Sequence, residues 1–145
     1  MTCSGFGHRD FYKKIDDELT QIIEDLIYRD SVDTFLTGGM GLFDGKFIRA
    51  VNRAKRKRQD VNLILVLPRM TEEINRNKAY YESEFDEVII PEESSSSYFK
   101  SAITKRNRWI VDRSDIIISG VFRDSGGASA AIKYAAAQNK SIIYL

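Results

Sequence analysis

Short apolar runs of strand length alternate along the whole chain with longer stretches whose apolar residues recur at helical spacing. That alternation constrains the fold more than any other feature. Parallel strands need crossover connections, and right-handed crossovers lay helices on both faces of one sheet. The pattern predicts strands over 2–5, 33–37, 61–67, 87–90, 115–119 and 141–145, and main helices over 11–29, 42–58, 98–113 and 129–138. In the first helix Ile15, Leu19, Ile22, Ile23, Leu26 and Ile27 share one face, and Asp10 stands before it as an N-cap. In the second, Phe43, Phe47, Ile48, Val51 and Ala54 point inward. The run 61–67 is almost continuously apolar, as expected of a central strand covered on both faces, and Pro68 ends it. The polar stretch 69–86, with Tyr80 and Tyr81, predicts a short helix. The serines at 94–97 read as a flexible tract. The expected fold class is therefore α/β, a doubly wound, mostly parallel sheet flanked by helices, in one domain spanning 1–145 with no internal repeat.

Charge and cysteine content narrow the function classes. Lys+Arg 22 against Asp+Glu 21 leaves no global pull toward nucleic acid or anionic membranes. The dense basic run Lys55-Arg56-Lys57-Arg58 carries no interleaved aromatics and reads as a solvated helix end whose cations complement the dipole. The single cysteine, Cys3, excludes an intramolecular disulfide and reads as a small core residue. No metal site is expected, because the single histidine, His8, excludes a His-x-His pair. There is no signal-peptide pattern and no apolar run near the ~20 residues that span a bilayer. A cytoplasmic protein without membrane partners is the expectation.

Four stretches rich in glycine or polar residues then stand out by position. In an open parallel sheet, loops at the carboxyl ends of strands converge on one crevice, where ligands bind. Gly5-Phe6-Gly7-His8-Arg9-Asp10 follows the first predicted strand. The planar fork of Arg9 suits a phosphate, against a surface ion pair as the plainer account. His8 is either a satisfied polar residue or a functional one. Thr37-Gly38-Gly39-Met40-Gly41 follows the second strand. Its spacing matches neither G-x-G-x-x-G nor a P-loop, yet three glycines in four positions suit a phosphate or ribose contact better than a turn alone. Asp44 either favours the helix dipole or accepts from a ribose hydroxyl. On the helix before the fifth strand, Phe99, Ile103, Arg106, Asn107 and Ile110 fall on or near one stripe, so Arg106 must find a partner in the core or on a ligand. Arg108 and Asp112 stand four apart and can pair, and Trp109 reads as core before base-stacker. Finally, Asp124-Ser125-Gly126-Gly127-Ala128-Ser129 leads into the last helix, where Ser125, Gly126, Gly127 and Ser129 could meet an anion.

Taken in order, Gly-Phe-Gly-His-Arg-Asp, Thr-Gly-Gly-Met-Gly-Leu-Phe-Asp, Arg-Asn-Arg-Trp-Ile-Val-Asp-Arg-Ser-Asp and Ser-Gly-Gly-Ala-Ser-Ala-Ala resemble the SLOG superfamily. That group holds Rossmann-like proteins related to Smf/DprA and to LOG-type nucleotide phosphoribohydrolases. The resemblance is greatest to its small single-domain, YpsA-like branch, and it covers essentially the whole chain. It implies a Rossmann-like fold and a nucleotide or nucleotide-derived ligand, of ADP-ribose type among others, with no certain cofactor beyond it. Homo-oligomers are common in the group. LOG-type enzymes cleave the N-glycosidic bond of nucleoside monophosphates and carry Pro-Gly-Gly-x-Gly-Thr-x-x-Glu. Here Ala131 stands where that glutamate belongs, and the proline is absent. Smf/DprA relatives bind single-stranded DNA, but the near-neutral charge and the lack of an aromatic-basic run argue against nucleic acid here.

Three functional readings follow. The first is a sensor or sequestering domain for a small nucleotide. Gly5, Gly7, His8, Arg9, Thr37, Gly38, Gly39, Met40, Gly41, Asp44, Arg106, Asn107, Ser125, Gly126, Gly127 and Ser129 would form its site. The second is a glycosidic hydrolase using other acids, with Asp44, Asp124, Asp112 and His8 as candidates. The third is an oligomeric interaction module with no ligand.

Overall fold

A computed structural model describes residues 1–96 and 98–145. Its elements in chain order are β1 (Thr2–Gly7), α1 (Asp16–Asp30), β2 (Thr34–Thr37), α2 (Leu42–Lys55) and β3 (Asn62–Val66). Then come α3 (Glu72–Arg76), α4 (Lys78–Glu84), β4 (Glu87–Ile89), α5 (Glu92–Ser95), α6 (Phe99–Asp112), β5 (Ile116–Gly120), α7 (Gly126–Ala137) and β6 (Ser141–Tyr144). Every strand pairing is parallel, in the order β4-β3-β2-β1-β5-β6. This is the α/β Rossmann-like architecture.

The two-residue strand period divides the core into two layers. Cys3, Phe35, Leu63, Leu65, Ile116 and Ile118 face a cluster that includes Leu19, Ile23, Phe43, Phe47 and Val51 of α1 and α2. Phe6, Leu36, Val66 and Ile117 face the opposite cluster, with Ile110 and Val111 of α6 and Ala131, Ile132 and Ala135 of α7. Connectivity explains the division. From β1 the chain steps to β2 and β3 in one direction through α1 and α2. It then returns past β1 to β5 through α6, and right-handed crossovers running the opposite way lie on the opposite face. Cys3 is fully buried, as expected of a core residue. Among the described residues, no helix is long and apolar enough to cross a membrane.

Several boundaries differ from the sequence expectation for identifiable reasons. α1 begins at Asp16 rather than at residue 11. Asp10 does not cap it and instead receives a bidentate Arg123 at 2.8 and 3.0 Å. The intervening segment is held by Phe11, which is buried with its ring 5.2 Å from that of Phe43. α7 begins at Gly126, earlier than residue 129, so the glycine pair lies inside its first turn. The stretch 69–86 holds two short helices rather than one. β3 is one strand from the edge, not central, but helices on both faces still account for its apolar run. The serine tract is not loose at its start. Ser94 is buried in α5 and donates to the carbonyls of Pro68 and Pro91 at 2.8 and 3.1 Å. The end of that tract, Ser97, lies outside the described residues. The basic run ends α2 as ion pairs: Lys55 with Asp86, Lys57 with Glu24, and Arg58 with Asp60.

Candidate functional site

The sheet reverses its direction of growth at β1, whose neighbours are β2 and β5. A crevice opens there at the carboxyl ends of the strands, where open α/β sheets place their ligands. Its volume is about 420 Å³. Gly7, His8 and Arg9 reach it from the end of β1, Gly38, Met40 and Asp44 from the connection of β2 to α2. Arg106 and Asn107 reach it from α6, and Gly126 and Gly127 from the start of α7. All four sequence stretches therefore meet at one place.

Other expected site residues lie outside the crevice lining. Gly5 packs on the ring of Phe47, where a Cβ would come within 2.6 Å. Thr37 is fully buried, and its hydroxyl accepts the Gly39 N–H at 3.2 Å, closing the turn. Gly39 and Gly41 hold φ of +66° and +95°, which side-chain-bearing residues rarely adopt, and they abut Leu65 and Arg9. Ser125 occupies the N-cap position of α7 without a side-chain hydrogen bond, and Ser129 is buried behind it. Asp124 points to solvent and pairs with Lys133 at 2.6 Å. Asp112 accepts from Tyr134 at 2.7 Å rather than pairing with Arg108, which stacks over the Tyr134 ring. Trp109 is partly buried against the α6–α7 cluster, with Arg113 over its face.

The sequence reading passed over Lys100, Thr104 and Arg123, which also line the crevice. Positions 100, 103, 104 and 107 form one face at helical spacing, so the positions three residues before Ile103 and Asn107 would have given the first two. Arg123 carried no such signal. Its place depends on the fold of the β5–α7 connection, where its backbone N–H donates to His8 Nε2 at 3.3 Å. That bond requires Nε2 to be unprotonated. Burial, with the nearby Arg123 charge, holds the His8 pKa below its ordinary value.

Arg106 dominates the electrostatics. It is only 3% exposed. One terminal nitrogen donates to the carbonyl of Val66 at 2.9 Å and more distantly to that of Gly38 at 3.4 Å. The other donates to the Met40 sulfur at 3.2 Å, and Nε donates to Asn107 Oδ1 at 2.8 Å. Among the described residues no carboxylate reaches ion-pair distance of it. Burial pulls its pKa down to about 10, which still leaves it cationic at neutral pH. Asp44 is also buried, with Oδ2 accepting the Met40 N–H at 2.8 Å. Burial pushes its pKa up to about 7, although the Met40 bond and the charges of Arg106 and Arg9 oppose that rise. Among the described residues no group of three His, Cys, Asp or Glu could hold a metal ion.

The shift at Asp44 has a stability consequence. A carboxyl raised from its ordinary 3.8 to about 7 binds more protons folded than unfolded between those limits. Its contribution is therefore fully present below pH 3.8 and is lost as pH rises through about 7. Asp44→Asn should thus gain stability relative to the native chain as pH goes from 5 to 8. Thermal melts of both proteins across that range check it, and parallel curves would contradict the burial account.

No protein-family model matches the chain, and no curated protein matches it. Solved structures do. DNA processing protein A (DprA) from Streptococcus pneumoniae superposes with a TM-score of 0.70 at 14% identity, covering 99% of this chain and 49% of that one. DprA from Helicobacter pylori, studied for its single-stranded DNA binding mode, gives 0.69 at 17% identity, covering 99% and 64%. The molybdenum cofactor binding protein from the phototrophic bacterium Rippkaea orientalis gives 0.62 at 19%, covering 99% and 74%. The chain thus spans about half the length of the first of these. At such identities the likeness is one of fold, and it agrees with the resemblance carried by the motifs. The chain has the Rossmann-like α/β fold of these structures.

Proposed function

We propose that the crevice binds a nucleotide or nucleotide-derived small molecule, ADP-ribose types included, and that the domain senses or sequesters it. One observation carries this reading: the buried guanidinium of Arg106 lines the crevice without a carboxylate in contact. A buried charge needs a counter-charge, and a ligand anion supplies it. Arg9, Lys100 and Arg123 add further cations to the same lining. The first turn of α7 carries no acidic residue, and Gly126 and Gly127 are exposed there, so its backbone N–H groups are open to a phosphate. The volume suits a small ligand. A neighbour of the same fold is named for binding a molybdenum cofactor, a precedent for small-molecule binding on this scaffold.

A second reading, glycosidic hydrolysis, draws on Asp44. A crevice carboxyl with a pKa of about 7 is suited to general acid or base work near neutrality. Asp124, paired in solvent, and His8, with Nε2 engaged by Arg123, are less suited. Native mass spectrometry of the protein with AMP, ADP-ribose, NAD and a dT oligonucleotide separates the readings. Binding of an intact small nucleotide is the expected result. Free base accumulating with time favours the hydrolase. Binding of the oligonucleotide alone would overturn both.

A further inference from the structure

The two walls of the crevice differ in kind. On one, the Nε–H of Arg106 donates to Asn107 Oδ1 at 2.8 Å, and Asn107 stands beside Gly127 at the start of α7. That wall offers donors to an anion. The other wall holds His8 and Arg123, with an aromatic cluster behind them. The Phe122 ring meets His8 edge-on at 4.6 Å and Tyr12 edge-on at 5.6 Å. Tyr12 is 73% exposed and Phe122 37% exposed, so the cluster reaches the surface beside the crevice. Arg123 is layered on this cluster, and its geometry is not that of a phosphate clamp. Both of its terminal nitrogens donate to Asp10, at 2.8 and 3.0 Å, which also compensates its charge. The guanidinium carbon lies 4.9 Å from the centre of the Phe122 ring. The Arg123 backbone N–H is held by His8 Nε2 at 3.3 Å. One end of the guanidinium is thus spent on a carboxylate and one face rests on a ring. What remains open is the opposite face, a flat cation fixed in place on a side chain that is still 45% exposed.

We infer that Arg123 is the platform on which the flat ring of the ligand's base stacks, with Phe122 as its backing and Asp10 as its clamp, while the anion goes to the wall of Arg106. A guanidinium plane stacks well on aromatic faces, and bases are read in this way on arginine planes. Holding the guanidinium in place beforehand lowers the cost of ordering it when the ligand arrives. Stability alone is a poor account of the arrangement, because an exposed ion pair contributes little to the fold. Yet this one ties the β1–α1 and β5–α7 connections together across the crevice. Charge supply is a poor account too, since Asp10 already neutralises Arg123. The two walls together select a ligand that carries a flat aromatic ring at one end and an anion at the other. The inference rests on the crevice being a nucleotide site and adds which residue reads the base.

Titration calorimetry near neutral pH tests it with two probes, AMP and ribose 5-phosphate, which has the same sugar and anion without the base. The native protein should bind AMP at least about tenfold more tightly. Arg123→Lys keeps the positive charge and loses the planar face. It should weaken AMP by about 5- to 100-fold, so that the ratio of the two affinities falls toward one. Asp10→Asn keeps the guanidinium and removes the clamp and the compensating charge. It should weaken AMP and strengthen ribose 5-phosphate, whose anion then meets an uncompensated cation. A phosphate-binding Arg123 would leave the ratio unchanged in Arg123→Lys, and a merely structural one would lower both affinities in parallel. Either result, or equal affinities for the two probes in the native protein, would overturn the role of Arg123 while leaving the ligand reading intact. No binding of either probe would overturn the ligand reading, and this inference with it. Where Arg123→Lys does not fold, the opposite movement of the two affinities in Asp10→Asn decides the matter, and its absence counts against the platform.

Discussion

Gly120→Ala is expected to destabilise the protein by about 1–3 kcal/mol, the usual cost of overpacking a filled core. At this chain length that lowers Tm by roughly 3–10 °C. The cause is Phe43. A Cβ added at Gly120 would lie 2.2 Å from its Cδ2, and one added at Gly7 would lie 2.1 Å from its Cγ. Gly7 and Gly120 stand opposite each other in register on β1 and β5, so the ring is seated on two adjacent bare strand positions. It cannot retreat, because it is fully buried and packs edge-on to Phe11 at 5.2 Å. Gly7→Ala should act similarly. Adding Phe43→Leu to Gly120→Ala should return part of the loss, because a smaller side chain frees the space the Cβ needs. Thermal denaturation followed by circular dichroism reads all of these, and an unchanged Tm in Gly120→Ala would remove the packing explanation.

Arg106→Gln should weaken binding of an anionic ligand by about 30-fold or more, the lower end of the cost of truncating a buried charge partner. Stability should change less, by under about 1 kcal/mol. Losing donors to the carbonyls of Val66 and Gly38 is unfavourable. Removing a buried charge with no carboxylate in contact offsets part of that loss. The two readouts together are informative: affinity measured by calorimetry should collapse while the melt barely moves. Binding retained in Arg106→Gln would show that the guanidinium serves the fold alone. Its bonds to the ends of β2 and β3 would then be its whole purpose.

The fold was legible because each strand and helix carried its own period. Leu19, Ile23, Leu26 and Ile27 marked the buried face of α1, and the alternating apolar runs marked a parallel sheet. Convergence of the four glycine and polar stretches was legible too, because strand ends in such a sheet share one edge. What each glycine does was not. The stretch Gly5-Phe6-Gly7 looks like a ligand loop in sequence, yet Gly5 yields to the ring of Phe47 arriving from α2, and Gly7 makes room for Phe43 as well as lining the crevice. Those contacts are set by tertiary packing and leave no local trace. The start of α1 was misplaced for a related reason. Asp10 has the chemistry of an N-cap, but the salt bridge to Arg123, more than a hundred residues away, claims its carboxylate. The inward position of Arg106, by contrast, was visible from spacing alone, and it is the residue on which the functional reading chiefly depends.

The most direct test of that reading is an ¹⁵N-HSQC titration of the protein with AMP, chosen because glycine amides resolve well. The account predicts saturable shifts at Gly126, Gly127 and Gly38, with the side-chain Nε–H of Arg106 moving in concert. An absence of shifts at millimolar AMP, or shifts confined to residues beside β4 around Tyr81 and Phe85, would contradict it.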